Sequence, residues 1–260
     1  MKKLTKIIAA AAMICCLFGC QKKTQSDYEY IKATGKMKMG ITLFAPMNYH
    51  DTDGTLIGFD TDFAKAVCEK LGIAAEFVEI NWDLKETELS AKNVDCIWNG
   101  MTITEQIKEN LSVSDPYLTN KQILITKSDK AEALAQSIDG ISVSAEQGSA
   151  GEQTAAALRD KIRCTPVDSQ TKALLEVKSG LSDAAIVDYV MSYGAIGEGT
   201  DFADLVVVDR KLSEPELYGI AFRKDSDMTE KVNKIIASMK ADGSLYEIAK
   251  KYRLEGLLTN

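Results

Sequence analysis

A carboxylate and a helix start are the features of this sequence best suited to bind opposite charges. Asp188 ends the apolar strand predicted over residues 183–188, where an acid is unfavourable unless it is paired or hydrated. Ser149 and Glu152 have the spacing of a capping box. The Ser149 hydroxyl can be used by its own helix, but the first-turn amides, including that of Ala150, still favour an anion. The sequence therefore offers one place for a cation and one for an anion.

Other candidates follow predicted strands, at the edge where ligands bind in open α/β sheets. Phe44 follows a strand predicted over residues 37–42, and Trp82 follows one over residues 75–80. An aromatic ring in either place favours contact with a ligand, and it attracts cations; ordinary core packing is the alternative. Small or polar candidates lie near the ends of other strands: Asn99, Gly100, Thr102 and Glu146.

The residue patterns do not indicate a catalytic or metal centre. His50 is the only histidine and lies in a polar turn, where hydration explains it better than catalysis. After residue 20 the cysteines are Cys68, Cys96 and Cys164, without the CxxC spacing of a zinc site. We therefore expect no cofactor and no metal. Cys68 and Cys96 would be buried free thiols, which we favour, or a disulfide.

Strands and helices alternate along the chain, and this order would bring the candidates to one edge. A first set is predicted over residues 37–42, 62–72, 75–80, 84–92 and 94–100, and a second over residues 141–145, 149–159, 163–167, 171–178, 183–188 and 205–209. The pattern predicts an α/β fold with parallel sheets and flanking helices.

Two helix starts carry specific predictions. In the helix over residues 62–72, apolar residues recur on one face, Asp60 is the expected N-cap and Gly72 the end. After a strand over residues 218–222 and one more amphipathic helix, Ser244 and Glu247 have the spacing of a capping box for the last helix.

The length of 260 residues suits two lobes. The last elements are too few for a third domain, so they must dock on an earlier lobe, and the chain must cross between lobes twice. We place the crossings at residues 121–126 and 209–218. The first lobe would comprise residues 30–122 plus 214–260, and the second would comprise residues 123–213 with the hinge segments.

The first twenty residues indicate export. Three lysines precede an apolar run over residues 7–18, which is too short to span a bilayer, so residues 1–19 read as a signal peptide. Residues 17–20 resemble a bacterial lipobox, which implies a lipid on Cys20 and anchoring at the outer face of the cell membrane. Residues 20–29 would be a tether. A plain signal with a chance cysteine is the alternative.

The charge balance limits the partners of the folded part. The formal net charge is −7, and removing residues 1–19 makes it more negative. We therefore expect no binding to nucleic acid and no adhesion to an anionic surface through the protein itself.

Six motifs occur in order along the chain: GTLIGFDTDFAKAVCEKLG (54–72), VDCIWNGMTIT (94–104), SDPY (114–117), GSAGE (148–152), SDAAIVD (182–188) and YGIAFRK (218–224). Together they resemble family 3 extracellular solute-binding proteins, the amino-acid receptors of ABC importers. The resemblance implies a two-lobed, type II periplasmic-binding-protein-like fold with a double-crossover hinge. It also implies a small-molecule ligand and an ABC permease as partners, and we expect a monomer.

The resemblance implies a role for most of the candidates. Aromatic rings would cover the ligand's side chain, an acid and a carbonyl would bind its ammonium, and a strand end and a helix start would bind its carboxylate. The residues at these positions are Phe44 and Trp82, Asp188 and Gly100, and Thr102 with Ser149 and Ala150.

The sequence departs from the family at Ile107. Counting back from the SDPY motif without a gap puts Ile107 where the family has the arginine that binds the ligand's carboxylate. Lys108 is a poor substitute because the next residue of a helix points about 100° away. Losing a bidentate charged pair should weaken carboxylate binding about ten- to a hundredfold.

Charge counting then suggests a ligand class. Without the arginine, Asp188 and Glu146 would make the site net negative, which favours a cationic or weakly carboxylated ligand; an ordinary polar amino acid is the alternative. If Glu146 were hydrated at a loop edge, it would contribute nothing to the charge of the ligand site. Two other functions stay open: a cyclohexadienyl dehydratase, with Glu146 as its one candidate acid, and a lipoprotein that senses a ligand for a signalling partner.

Overall fold

The structure is a computed structural model that describes residues 26–260. The predicted signal, Cys20 and most of the tether lie outside the described residues. Residues 27–29, which we assigned to the tether, instead begin the helix Asp27–Thr34 (α1). Arg223 holds this helix because its guanidinium lies 2.9 Å from Asp27 and 3.3 Å from Asp95.

Thirteen strands and nine α-helices, counting within residues 26–260, alternate much as the sequence predicts. The strands are β1 (Lys36–Ile41), β2 (Tyr49–His50), β3 (Leu56–Ile57), β4 (Ala74–Glu79), β5 (Cys96–Thr102), β6 (Ser112–Val113), β7 (Leu118–Asn120), β8 (Gln122–Lys127), β9 (Ser142–Glu146), β10 (Arg163–Val167), β11 (Ala184–Asp188), β12 (Leu205–Val207) and β13 (Glu216–Phe222). The helices after α1 are α2 (Phe59–Leu71), α3 (Lys85–Ser90), α4 (Glu105–Asn110), α5 (Ala131–Gln136), α6 (Ala150–Ala157), α7 (Gln170–Ser179), α8 (Met228–Ala241) and α9 (Ser244–Lys251).

Two sheets form the centres of the two lobes. The first has the order β4-β1-β5-β13-β6, with β7 also paired to β13, and the second has the order β10-β9-β11-β8-β12. Strands β1, β4 and β5 are parallel, as are β9, β10 and β11. Both sheets are nevertheless mixed, because β13 and β8 run antiparallel to their neighbours. The parallel pairing predicted for the alternating strands is confirmed, and the antiparallel strands β8 and β13 are those that follow the two crossings between the lobes.

The chain passes between the sheets at two places. The first is residue 121, between β7 and β8, and the second is the segment between β12 and β13. After the second crossing, α8 and α9 pack against α2 on the first lobe. Residues 26–260 include no helix of the length and apolar character needed to cross a bilayer.

Two predicted caps differ from the structure. Helix α2 begins at Phe59 after Gly58, so Asp60 lies inside its first turn and is buried instead of capping it. Helix α9 has Gly243 as its N-cap residue, and no side chain caps it. Because Gly243 adopts a left-handed conformation (φ 77°) and links α8 directly to α9, Ser244 is already helical, and the predicted capping box does not form.

The cysteines follow the preferred prediction. Cys68, Cys96 and Cys164 are free, and the first two are buried. Burial raises the pKa of the Cys68 thiol to about 12. Cys68 and Cys96 therefore contribute to packing and not to reactivity.

Candidate functional site

A cavity of about 220 Å³ lies between the two sheets. Nine of the ten candidate residues line it: Trp82, Asn99, Gly100, Thr102, Ile107, Glu146, Ser149, Ala150 and Asp188. Nine further residues complete the lining: Asp83, Lys85, Glu86, Met101, Thr104, Gln106, Gly148, Gln153 and Gln170. The cavity thus takes residues from both lobes, at the edge where β4, β5, β9 and β11 end.

Phe44 is the candidate that does not line the cavity. Its side chain is 2% exposed in the core of the first lobe, where its backbone forms a bridge with Asn48. This bridge turns the chain back after β1, so that the ring packs behind Gly100. Phe44 supports the cavity wall from inside, as in the core-packing alternative.

The backbone conformation and the close neighbours at position 100 favour glycine. Its φ is +54°, and an added Cβ would lie 2.9 Å from Tyr218 and 3.0 Å from Phe44. Its amide donates to Asp60 Oδ2 at 2.7 Å, which explains why Asp60 turns inward. Burial raises the pKa of Asp60 to about 7. Asp60 therefore holds the cavity edge at Gly100 in place.

Asp188 is buried at the end of β11, as predicted, and side-chain amides surround its carboxylate. Oδ1 accepts from Asn120 and from Gln122, both at 2.7 Å, and Oδ2 accepts from Gln170. Burial raises the pKa of Asp188, while these amide donors oppose the shift. The donors fix the position of the carboxylate and favour its charged form. Such an oriented acid suits an ammonium group.

Glu216 is an acid that the sequence analysis did not single out. Its Oε1 accepts from Asn120 at 2.6 Å, from Gln122 at 2.7 Å and from the Thr102 hydroxyl at 3.0 Å. The Thr102 hydroxyl therefore donates to Glu216 at the hinge, which leaves the backbone amide as the group of Thr102 that could meet a ligand's carboxylate. The sequence signal was the position of Glu216 inside the predicted second crossing.

Glu146 lies at the end of β9 and is 2% exposed. The suggestion that it is hydrated at a loop edge was wrong, because its strand continues one residue further into the cavity. Its Oε1 has no hydrogen-bond partner within residues 26–260. Burial, with a smaller effect of Asp188, raises the pKa of Glu146 to about 8. A buried carboxyl oxygen without a donor is unfavourable, and a ligand group that donates a hydrogen bond would relieve it.

The start of α6 has the predicted cap. Ser149 Oγ accepts from the amide of Glu152 at 3.1 Å, and the Glu152 carboxylate accepts from the amide of Gly148 at 2.7 Å. The reciprocal bond thus reaches one residue further back than in a standard capping box. Ala150 begins the helix and faces the cavity. The N-terminal end of α6 therefore remains suited to binding an anion.

Ile107 lies on α4 and is 7% exposed at the cavity wall. The counted register therefore put an apolar side chain where the family resemblance implies an arginine. The described lining contains one basic side chain, Lys85. Lys85 was not predicted as a site residue because it lies in a segment whose only pattern is that of a weak helix; its spacing of three residues after Trp82 was the available signal.

Lys85 also joins the two lobes. Its Nζ donates to the carbonyl of Gly148, across the cleft, at 2.9 Å. Beside it, Gln147 Nε2 donates to Asp83 Oδ2 at 3.1 Å. The structure therefore has the lobes closed over the cavity.

Comparison with known proteins agrees with this geometry. The family profile of the bacterial extracellular solute-binding proteins, family 3, matches residues 37–255. The chain is 29% identical over 255 residues to the arginine-binding extracellular protein ArtP of Bacillus subtilis, covering 97% of this chain and 98% of ArtP.

Solved structures are similar over most of their length. A substrate-binding protein of an ABC uptake transporter from Streptococcus pneumoniae, with bound histidine, has a TM-score of 0.83 at 28% identity, covering 92% of this chain and all of that one (100%). A mutant of ArgBP from T. maritima has a TM-score of 0.80 at 29% identity, covering 87% of this chain and 98% of that one.

These findings settle the class of protein. The family match covers well over half of the chain, and the relatives are binding proteins, so the dehydratase alternative gains no support. Members of the family are extracellular receptors of ABC importers, in agreement with an exported protein. The chain belongs to family 3 of the bacterial extracellular solute-binding proteins and is a ligand receptor, not an enzyme.

Proposed function

We propose that this chain closes over a small amino acid or related amine, with preference for a cationic side chain, and delivers it to an ABC permease. The observation that carries the proposal is the presence of two buried carboxyl groups, those of Asp188 and Glu146, in one closed cavity. Asp188 is oriented by amide donors, whereas Glu146 Oε1 has no donor among residues 26–260. Two hydrogen-bond-donating groups on one ligand would satisfy both.

The α-ammonium binds Asp188, with the carbonyl of Gly100 as a second acceptor. Trp82, 6% exposed at the cavity wall, covers the apolar stem of the ligand. The first-turn amides of α6, at Ala150, receive the carboxylate. Thr102 takes a positioning role, since its hydroxyl is bonded to Glu216.

The cationic preference follows from the charges of the lining. The acidic lining residues are Asp83, Glu86, Glu146 and Asp188, against Lys85 as the base. A cationic side chain would reduce this imbalance, favour the ionised form of Glu146 and provide a hydrogen-bond donor for its Oε1. Relatives named as arginine-binding and histidine-binding proteins support the same class. An ordinary polar amino acid is the second candidate.

Binding acts through a shift between open and closed lobes. Contacts from both lobes exist only in the closed form, so the ligand favours closure, and the permease senses it. The first lobe comprises residues 30–122 plus 214–260 together with the start of α1, and the second comprises residues 123–213. The hinge lies at residue 121 and in the segment between β12 and β13, which the sheet order supports.

A lipid on Cys20 holds the receptor, as a monomer, at the outer face of the membrane. Replacing Cys20 with serine should release the protein into the medium, and sedimentation should give the mass of one chain. Release of the wild-type protein to the same extent would contradict the anchor. Import is preferred to sensing, and genes for a permease and an ATPase beside this one would support that preference; a signalling gene alone would contradict it.

Calorimetry with the purified mature chain tests the ligand class. We expect L-arginine, L-lysine or L-histidine to bind tightly and L-glutamate not to bind. A ligand at a hundred times its Kd should add about 2.7 kcal/mol to the free energy of unfolding, which a thermal-shift assay detects. Asp188→Asn should abolish this gain. Tight binding of glutamate would overturn the cationic preference.

A further inference from the structure

Lys85 is a basic side chain in the cavity for which the proposed function has no role so far. Within the described lining it is the one base, and Ile107, on the same lobe, is apolar. A ligand carboxylate in this cavity would therefore meet positive charge only at Lys85 and at the start of α6.

The contacts of Lys85 leave part of its hydrogen-bonding capacity free. Its Nζ donates to two carbonyl oxygens, those of Trp82 at 3.2 Å and Gly148 at 2.9 Å, and lies 5.0 Å from the centre of the Trp82 ring. An ammonium group has three N–H donors. One donor thus remains for a further acceptor.

No carboxylate of the described part of the chain lies within 4.0 Å of the Lys85 ammonium. In residues 26–260 the lysine salt bridges within 4.0 Å involve other lysines, such as Lys130 with Asp183 at 2.8 Å. Carbonyl oxygens and an aromatic face stabilise an ammonium without neutralising it. Burial lowers the pKa of Lys85, and nearby acids, Glu86 and Glu146 first, partly oppose this. An anion bound at Nζ would compensate the burial.

Lys85 Nζ lies beside the loop that leads into α6. Its partner Gly148 is two residues before Ala150, where α6 begins. A carboxylate that meets the first-turn amides of α6 would therefore lie close to Nζ. One oxygen would accept from the helix and the other from lysine, with one donor from each lobe.

We propose that Lys85 is the carboxylate-binding residue of this receptor and that it makes the site selective for amino acids over the corresponding amines. This inference rests on the proposed function, since it assumes a ligand in the cavity. Lys85 then has two roles: it bonds to the other lobe across the closed cleft, and it binds the ligand's carboxylate.

Three pairs of probes test the assignment: L-arginine and agmatine, L-lysine and cadaverine, and L-histidine and histamine. Each pair differs only by the carboxylate. Their affinities would be measured by calorimetry on the wild-type chain, on Lys85→Met and Lys85→Gln, and on Lys85→Arg. Gln147→Ala is the matched control, because it removes the neighbouring interlobe bond without removing a cation.

We expect the wild-type chain to bind the best amino acid at least tenfold more tightly than its amine. Lys85→Met and Lys85→Gln should weaken the amino acid about ten- to a hundredfold and change the amine by less than threefold. Lys85→Arg should retain the selectivity, and Gln147→Ala should weaken both probes of a pair equally.

The outcomes separate this inference from the proposed function. If none of the six probes binds the wild-type chain, the proposed ligand class fails, and the role of Lys85 falls with it. If the wild-type chain binds an amino acid but its amine equally well, or if both Lys85 variants weaken amino acid and amine alike, Lys85 is only an interlobe contact. Those results would leave the proposed function intact.

Discussion

Asp188 and Glu216 share their hydrogen-bond donors across the hinge. The side-chain amide of Asn120 donates to Asp188 Oδ1 and to Glu216 Oε1, and the side-chain amide of Gln122 donates to the same two oxygens. All four distances are 2.6–2.7 Å. Asp188 belongs to β11 of the second sheet and Glu216 to β13 of the first. The acid proposed to bind the ligand's ammonium is therefore connected to the strand by which the chain returns between lobes.

Replacing Gln122 with methionine should destabilise the protein in a pH-dependent way. The side-chain carbonyl oxygen of Gln122 has no hydrogen-bond partner within residues 26–260, so the variant removes only the two hydrogen bonds that the side chain donates. Those donors stabilise the charged acids, and burial raises the pKa of both Asp188 and Glu216. The variant should raise these pKa values further, so its loss in stability is largest once both acids are ionised. We expect about 1 to 3 kcal/mol near pH 8 and less near pH 4.

Urea denaturation of both chains between pH 4 and pH 8 measures this difference. Asn93→Ala is the control, because Asn93 donates to Glu88 at 2.7 Å on the exposed surface and should lose less than about 1 kcal/mol at every pH. A loss from Gln122→Met that is equal at both ends of the pH range would contradict the shared-donor account.

The sequence allowed the fold to be predicted because its signals are local. The apolar periodicity of α2, with Phe63 and Val67 buried on one face, and the caps at Gly72 and Gly180 depend on neighbours in sequence. Asp60 failed as a cap for a tertiary reason. Asp60 accepts a hydrogen bond from the amide of Gly100, forty residues away. The local sequence around Asp60 carries no information about that contact.

The candidate site was predictable where strand ends alone determine it. Glu146 and Asp188 reach the cavity because β9 and β11 are neighbours in a parallel arrangement. Lys85 was missed because its importance depends on the approach of Gly148 from the other lobe. Phe44 was misplaced because the bridge to Asn48 reverses the chain after β1. Contacts between lobes and reversals in loops thus limited the prediction.

Replacing Gly100 with alanine should damage both stability and binding. The left-handed φ of +54° and the approach of Tyr218 to 2.9 Å from an added Cβ together should reduce the free energy of unfolding by about 2 to 4 kcal/mol. Gly54→Ala is the control: Gly54 has φ +84° but nothing within 4 Å of an added Cβ, so about 1 kcal/mol is expected. Thermal and urea denaturation compare the two, and equal losses would show that crowding at Gly100 is unimportant.

The affinity for a cationic ligand should rise with pH. Burial raises the pKa of Glu146 to about 8, so most of this carboxyl group is protonated near pH 6. A bound guanidinium favours the charged carboxylate and lowers its pKa, so binding releases a proton. The affinity for L-arginine should therefore increase up to about tenfold per unit between pH 6 and pH 8.

Calorimetry in buffers of different ionisation enthalpy counts the released protons. Glu146→Gln should bind arginine more weakly at pH 8 and show a flatter profile than the wild-type chain, because the amide at position 146 does not titrate. A wild-type profile as flat as that of the variant would mean that Glu146 does not contact the cation.

Replacing Ile107 with arginine should supply a second carboxylate-binding group. Ile107 is 7% exposed at the cavity wall, and a guanidinium there would pair with a carboxylate in bidentate geometry. In the wild-type background the affinity for α-amino acids should rise about ten- to a hundredfold, while the affinity for amines should fall or stay unchanged because the added charge repels them. Ile107→Leu, which keeps the wall apolar, is the control.

The same substitution in the Lys85→Met background distinguishes the role of each position. If Lys85 binds the carboxylate, its loss removes the preference for arginine over agmatine, and the Ile107→Arg change should restore most of it. The two positions would then be alternative sources of one positive charge, which calorimetry shows as recovery of the arginine-to-agmatine affinity ratio in the double variant. If the ratio stays near one in that variant, a carboxylate does not reach the wall at Ile107, and the ligand lies with its carboxylate towards α6 alone.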